Sequence, residues 1–120
     1  MAIRVRPLKK EKRFGVKITD VATEFKIDAG DVAKGTSISL VYYSGRVYLY
    51  YIDTTNMVRR IVRNGPGDWG SDKPVSGAPK VAAGGQLAAV NCGGINHLFY
   101  QTGTTTDGIK HIRDTAFLKD

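Results

Sequence analysis

An all-β fold built from repeated sheet modules, of the β-propeller kind, is what this sequence predicts, and three observations carry the expectation. Residues 26 to 51 lie over residues 75 to 100 without a gap, 49 positions apart, with eight identities: Ala29/Ala78, Val32/Val81, Ala33/Ala82, Gly35/Gly84, Val41/Val90, Gly45/Gly94, Leu49/Leu98 and Tyr51/Tyr100. Ile38/Leu87 and Tyr50/Phe99 keep their character, and after a two-residue insertion the match resumes at Val58/Ile109 and Ile61/Ile112. Finally, 14 Gly, six Tyr and 42% hydrophobic residues suit short strands joined by tight turns. A repeat of this length is a structural unit that cannot bury its apolar surface alone. The chain of 120 residues then divides into an arm with a possible extra strand (1–25), a first repeat (26–74) and a second (75–120). A sandwich or jelly roll is the alternative architecture, but it would not require its halves to be copies.

The elements follow in order. Phe14 to Ile27 mixes β-branched and charged residues in near alternation and reads as extended chain. Asp28 to Gly35 is turn chemistry, leading into the apolar run Ile38 to Tyr43. Ser44-Gly45 makes a tight hairpin. Arg46 to Asp53 (RVYLYYID) is aromatic and β-branched on both faces, so both faces should be covered. Thr54-Thr55-Asn56 turns the chain, Met57 to Arg63 forms the next strand, and Asn64 to Asp68 breaks it before Trp69. The second copy repeats the plan with Leu87 to Asn91, a Cys92-Gly-Gly94 turn, Ile95 to Gln101, a Thr/Gly turn over 102–108, and Ile109 to Asp114. Phe117 stands where Trp69 stood. Four strands per unit are expected.

The net charge of +7 is not spread evenly. Arg4, Arg6, Lys9, Lys10, Lys12, Arg13 and Lys17 face only Glu11 in the first 19 residues, while the rest of the chain is almost neutral. Such an arm can attract an acidic partner or nucleic acid by releasing counterions, or simply be a solvated leader. It lacks the interleaved aromatics of a single-strand binder. The one cysteine, Cys92, excludes an internal disulfide and a multi-cysteine zinc site, and reads as a small filler beside its glycine turn. No apolar run follows the basic start and none approaches the ~18 residues of a membrane span. The expectation is a chain that inserts in no membrane and is cytoplasmic or non-classically secreted.

The strings RVYLYYIDTTNMVRRIVRNGPGDW and HLFYQTGTTTDGIKHIRD, with AAGGQLAAV ahead of the second, resemble the repeats of the fungal fucose-specific lectin family. Its blades read as an Ile-Arg-Val-Tyr-Tyr-Gln-Asp strand, a polar turn, and an Ile-x-Glu-Leu strand followed by Trp. The likeness covers roughly residues 26 to 117 as two repeats. It implies two four-stranded blades per chain, a six-bladed ring completed by trimerisation, and a saccharide or glycoconjugate held noncovalently between blades. In that family the pocket uses an Arg on the second strand, a Glu on the third and an aromatic from the neighbouring blade. Those positions fall on Tyr48 and His97, on Arg60 and His111, and on Trp69 and Phe117. None of the four polar positions holds the family residue, which bears directly on fucose specificity. Tyr48 with Arg60, and His97 with His111, should nevertheless face one another across adjacent strands.

Each candidate has a plainer reading. Arg60 can be a solvated strand residue, Trp69 a plug between blades, and the two histidines a satisfied structural pair; two histidines are too few for a metal site. The alternative function is a scaffold that keeps the propeller frame and docks through its basic arm. Catalysis is not expected: the strand cores offer no paired carboxylates for a glycosidase, Gly84-Gly85 opens a strand and not a phosphate-binding helix, and Cys92 and His97 have no orienting third group. No cofactor is implied.

Overall fold

Left-handed backbone at paired turn positions sets the folding pattern of this chain. A computed structural model describes residues 2–5, 23–103 and 108–115, with side chains described from Lys26 onward. Among these the chain is all-β: β1 (Ala2–Val5), β2 (Thr23–Lys26), β3 (Ser39–Tyr43), β4 (Arg46–Ile52), β5 (Val58–Asn64), β6 (Lys73–Pro74), β7 (Leu87–Cys92), β8 (Ile95–Gln101) and β9 (Ile109–Asp114). They form three antiparallel sheets, ordered β1-β2, β3-β4-β5-β6 and β7-β8-β9. No described helix is long and apolar enough to cross a membrane.

The equivalent hairpins β3–β4 and β7–β8 turn on Ser44-Gly45 (φ 51° and 78°) and Gly93-Gly94 (φ 62° and 86°). Two successive positive φ values make the mirror-image turn whose twist matches that of the flanking strands, which is why glycine recurs there. Between β4 and β5 the turn has three residues, Thr54 to Asn56, with Asn56 at φ 65°. The Asp53 carboxylate holds this turn by accepting from the Thr55 amide (2.8 Å), the Thr55 hydroxyl (2.6 Å) and the Met57 amide (3.0 Å). Burial raises the Asp53 carboxyl, but these donors win and hold it below its ordinary value.

Alternation then decides which core each residue enters. Every residue from Tyr48 to Asp53 is buried, so β4 is indeed covered on both faces. Tyr48, Tyr50 and Ile52 point into a core shared with the second sheet, where they meet Leu87, Leu98 and Tyr100 together with Val75, Ala78 and Val81 of the connection. Leu49, Tyr51 and Ile61 point the other way, onto Ile27, Ala29, Val32 and Trp69. Fully burying a side chain of this size contributes roughly 1.5–3 kcal/mol. β8 is different. Asn96, Leu98 and Tyr100 are buried, whereas Phe99 and Gln101 face outward.

The two sheets therefore stack face on face, with β3 beside β7. Ser37 and Ser39 stitch the joint, the Ser37 hydroxyl accepting from the Leu87 amide (2.8 Å) and the Ser39 hydroxyl donating to the Leu87 carbonyl (3.2 Å). The first sheet has the expected four strands, the last only two residues long. The second has three among the described residues, with β9 at its edge, in place of the four expected. Cys92 is exposed and not a filler.

Candidate functional site

The register of β4 on β5 places Tyr50 opposite Arg60, and Tyr48 opposite Val62. Phe99 lies opposite His111, and His97 opposite Arg113. Tyr48/Arg60 and His97/His111 thus share a face across adjacent strands, as the sequence suggested, in the diagonal positions of the ladder. The cause in the first hairpin is the three-residue turn capped by Asp53, which pairs Ile52 with Val58 and fixes every later pair.

The two copies use these equivalent positions differently. Arg60 is buried, and its Nη1 lies 2.7 Å from both carboxylate oxygens of Asp114 on β9. The Tyr50 hydroxyl donates to Asp114 Oδ2 (2.7 Å) and accepts from Asn96 Nδ2 (2.9 Å). Burial first, then the charge of Asp114, holds the Tyr50 hydroxyl protonated well above its ordinary range. Arg60, Tyr50, Asn96 and Asp114 thus form a buried polar lock between the sheets. Tyr48 is 4% exposed and belongs to the shared core.

In the second copy the same positions stay near the surface. His97 Nδ1 and His111 Nε2 are 2.7 Å apart, so one ring donates and the other accepts. Phe99 stacks on His111 with ring centroids 4.8 Å apart. Among the described residues no group of three or more His, Cys, Asp or Glu is placed to hold a metal ion.

A polar groove of about 270 Å³ opens beside β5 and β6, lined by Arg46, Arg60, Val62, Asn64, Gly70, Ser71 and Lys73. Arg46 lies opposite Asn64 across the ladder, on the face that Arg60 also occupies. Because Arg60 both lines the groove and reaches Asp114, the groove runs up to the joint between sheets. Of the described residues singled out from the sequence, only Arg60 lines it. Trp69 lies half-buried against Leu49, Tyr51 and Ile61, on the opposite face of the sheet. Phe117, Arg6, Lys9, Lys10, Lys12, Arg13 and Lys17 lie outside the described residues, and Arg4 falls on β1.

The sequence reading missed Arg46, Asn64, Ser71 and Lys73. The turn centred on Thr55 carried the signal for two of them, since it pairs Arg46 with Asn64. It also missed a cluster on the far face, where Asp72 accepts from Tyr51, from the Gly30 amide (2.9 Å) and from Arg59 Nη2 (3.0 Å). The Tyr51 hydroxyl, the Gly30 amide and the Arg59 guanidinium hold the Asp72 carboxyl down at about 2, against the cost of its burial. Burial and the Asp72 carboxylate push Tyr51 up to about 12. All partners are satisfied internally, which marks the cluster as structural. The chain matches no protein-family model, no curated protein and no solved structure.

Proposed function

We propose that this protein is a lectin-like binding module: sheets stacked as propeller blades, six of them from three chains, holding a saccharide noncovalently beside the joints. The observation that carries the reading is the groove. It is small enough for one or two sugar rings and presents Arg46, Arg60, Asn64, Ser71 and Lys73, a set dominated by donors. Hydroxyls and carboxylates of a glycan are suitable acceptors, and Val62 offers a small apolar floor. Affinity would come from several equal sites on one ring more than from any single contact.

Ser71 and Lys73 are exposed, so their removal leaves the core intact. Replacing both by Ala is expected to weaken glycan binding roughly tenfold, on the order of 1.5 kcal/mol of lost hydrogen bonding, with the melting temperature unchanged. A glycan array probed with the full chain and returning no hits would refute the reading.

A second reading is favoured by the use to which Tyr48 and Arg60 are put, since both serve the joint between sheets. On it the chain is a scaffold, and Arg4 to Lys17 dock on an acidic partner or nucleic acid. Retention on immobilised polyanion would then collapse between low and about 0.3 M salt; retention that ignores salt counts against it.

A further inference from the structure

The exposed apolar residues of this chain are not scattered. Of the large hydrophobic side chains left in solvent, Ile38, Leu40 and Tyr42 lie on or just before β3, and Val90, Phe99 and Ile109 lie on β7, β8 and β9. Tyr43 is exposed beside them at the end of β3. All of these but Tyr42 and Tyr43 are repeat equivalents of residues that form or pack against the internal joint. Val90, Phe99 and Ile109 correspond to Val41, Tyr50 and Val58, all in the shared core. Ile109 is 71% exposed where Val58 is fully buried. Ile38 and Leu40 correspond to Leu87 and Ala89, which form or pack against that core from the other side.

The first sheet thus offers one face to the second sheet and leaves uncovered the patch that the second sheet uses to receive it. The second sheet uses that patch and leaves uncovered the face that the first sheet offers. Each chain carries one unused half of the joint at either end.

The strands tell the same story. β6 ends just before Val75 and pairs with β5, completing the first sheet. β2 ends just before Ile27, 48 residues earlier than β6, and is its repeat equivalent, yet no described sheet precedes it. It pairs with β1 on one edge. The strand equivalent to β5 is β9, which among the described residues stands at the edge of a three-stranded sheet.

We infer that the occupant of both open faces is a second copy of this chain, joined head to tail. The β7-β8-β9 face of one copy covers the Ile38–Leu40–Tyr42 patch of the next, and β2 of that next copy adds to the β9 edge. This is heterologous association with strand addition, in which affinity comes from apolar burial and main-chain hydrogen bonds. Only the number of copies rests on the propeller reading; the faces rest on the repeat.

The test uses sedimentation of the full chain and two surface variants, Leu40→Lys and Val90→Lys. The wild-type chain is expected to sediment as a closed oligomer, and each variant alone as a monomer with an unchanged melting profile. Mixed in equal amounts, the two variants each keep one intact face and should form a two-chain complex and nothing larger. A wild-type monomer at 100 μM or so overturns the inference, as does a two-fold joint broken by one variant and untouched by the other. Head-to-tail closure at a number other than three upholds this joint and rejects the six-bladed ring. Amides of Ile109 to Arg113 should exchange more slowly in the oligomer than in either monomeric variant; equal rates refute the strand contact. Failure of glycan binding leaves all of these outcomes as they stand.

Discussion

Two carboxylates, one buried and one half-buried, decide how this chain responds to substitution and to pH. Asp114 sits at the centre of the inter-sheet lock, 4% exposed, with Arg60 and Tyr50 aimed at it. Removing it by Asp114→Ala takes a bonded carboxylate away from a buried guanidinium, a loss of about 3–5 kcal/mol. Replacing both charges, Arg60→Met with Asp114→Leu, should recover much of that, because the desolvation of both ions disappears with their attraction. Urea unfolding of the single and double variants measures the difference. Asp72 governs the acid limb. Its carboxyl is held at about 2, below an unfolded value of roughly 3.9, so its stabilisation is complete above the unfolded value and fades as pH falls through the folded one. That amounts to something on the order of 2 kcal/mol. The buried tyrosines set the alkaline limb with the opposite sense: burial pushes Tyr51 and Tyr100 up to about 12 and Tyr50 higher still, so stability is lost as pH rises above about 10, where the unfolded phenols ionise. Asp72→Asn should flatten the acid limb and leave the neutral range lower; an unchanged acid limb would contradict this assignment.

At the scale of elements, β3 to β5 and β7 to β9 were legible because their signals are local, whereas β1 and the two-residue β6 were not read. Two-residue glycine turns and a β-branched run such as RVYLYYI need nothing from the rest of the chain to declare a hairpin. What was not legible is which of two equivalent residues a partner would claim. Tyr48 and His97 occupy the same place in the repeat, yet Tyr48 is in the shared core and His97 pairs with His111 outside it. That difference is set by stacking, which leaves no periodic mark. The buried lock was invisible for the same reason: Tyr50 and Asp114 are 64 residues apart in sequence. The groove was partly readable, since register follows from turn length, whereas Ser71 and Lys73 enter it from an irregular stretch. One element carries a sharp prediction. Gly94 has φ 86°, and a Cβ there would stand 3.2 Å from the Tyr43 hydroxyl. Gly94→Ala is therefore strained in its backbone and crowded by a side chain at once, and should cost about 1–2 kcal/mol in thermal unfolding, whereas Gly103→Ala, with open space around it, should cost less than about 0.5 kcal/mol.

For the whole molecule, the internal joint and the joint between copies share a frame but differ in chemistry, and the difference has a sign. Inside the chain Arg60 meets Asp114. Between copies the position of Arg60 is taken by His111 and that of Asp114 by Arg63, so an imidazole replaces the cation and a guanidinium replaces the anion. His97 shares the hydrogen bond with His111, Phe99 stacks on it, and Arg113 lies opposite His97 on β9. The joint proposed between copies thus lacks, at these positions, the ion pair that the internal one carries. His111→Arg combined with Arg63→Asp would rebuild that pair there, with the guanidinium on one copy and the carboxylate on the next, and the double variant is expected to withstand dilution better than the wild type. Truncating one partner of such a pair costs more than omitting both, so His111→Arg alone, which sets a second guanidinium against Arg63, should weaken the oligomer. Sedimentation over a dilution series decides it, and a double variant that dissociates as readily as the single one would remove these positions from the account.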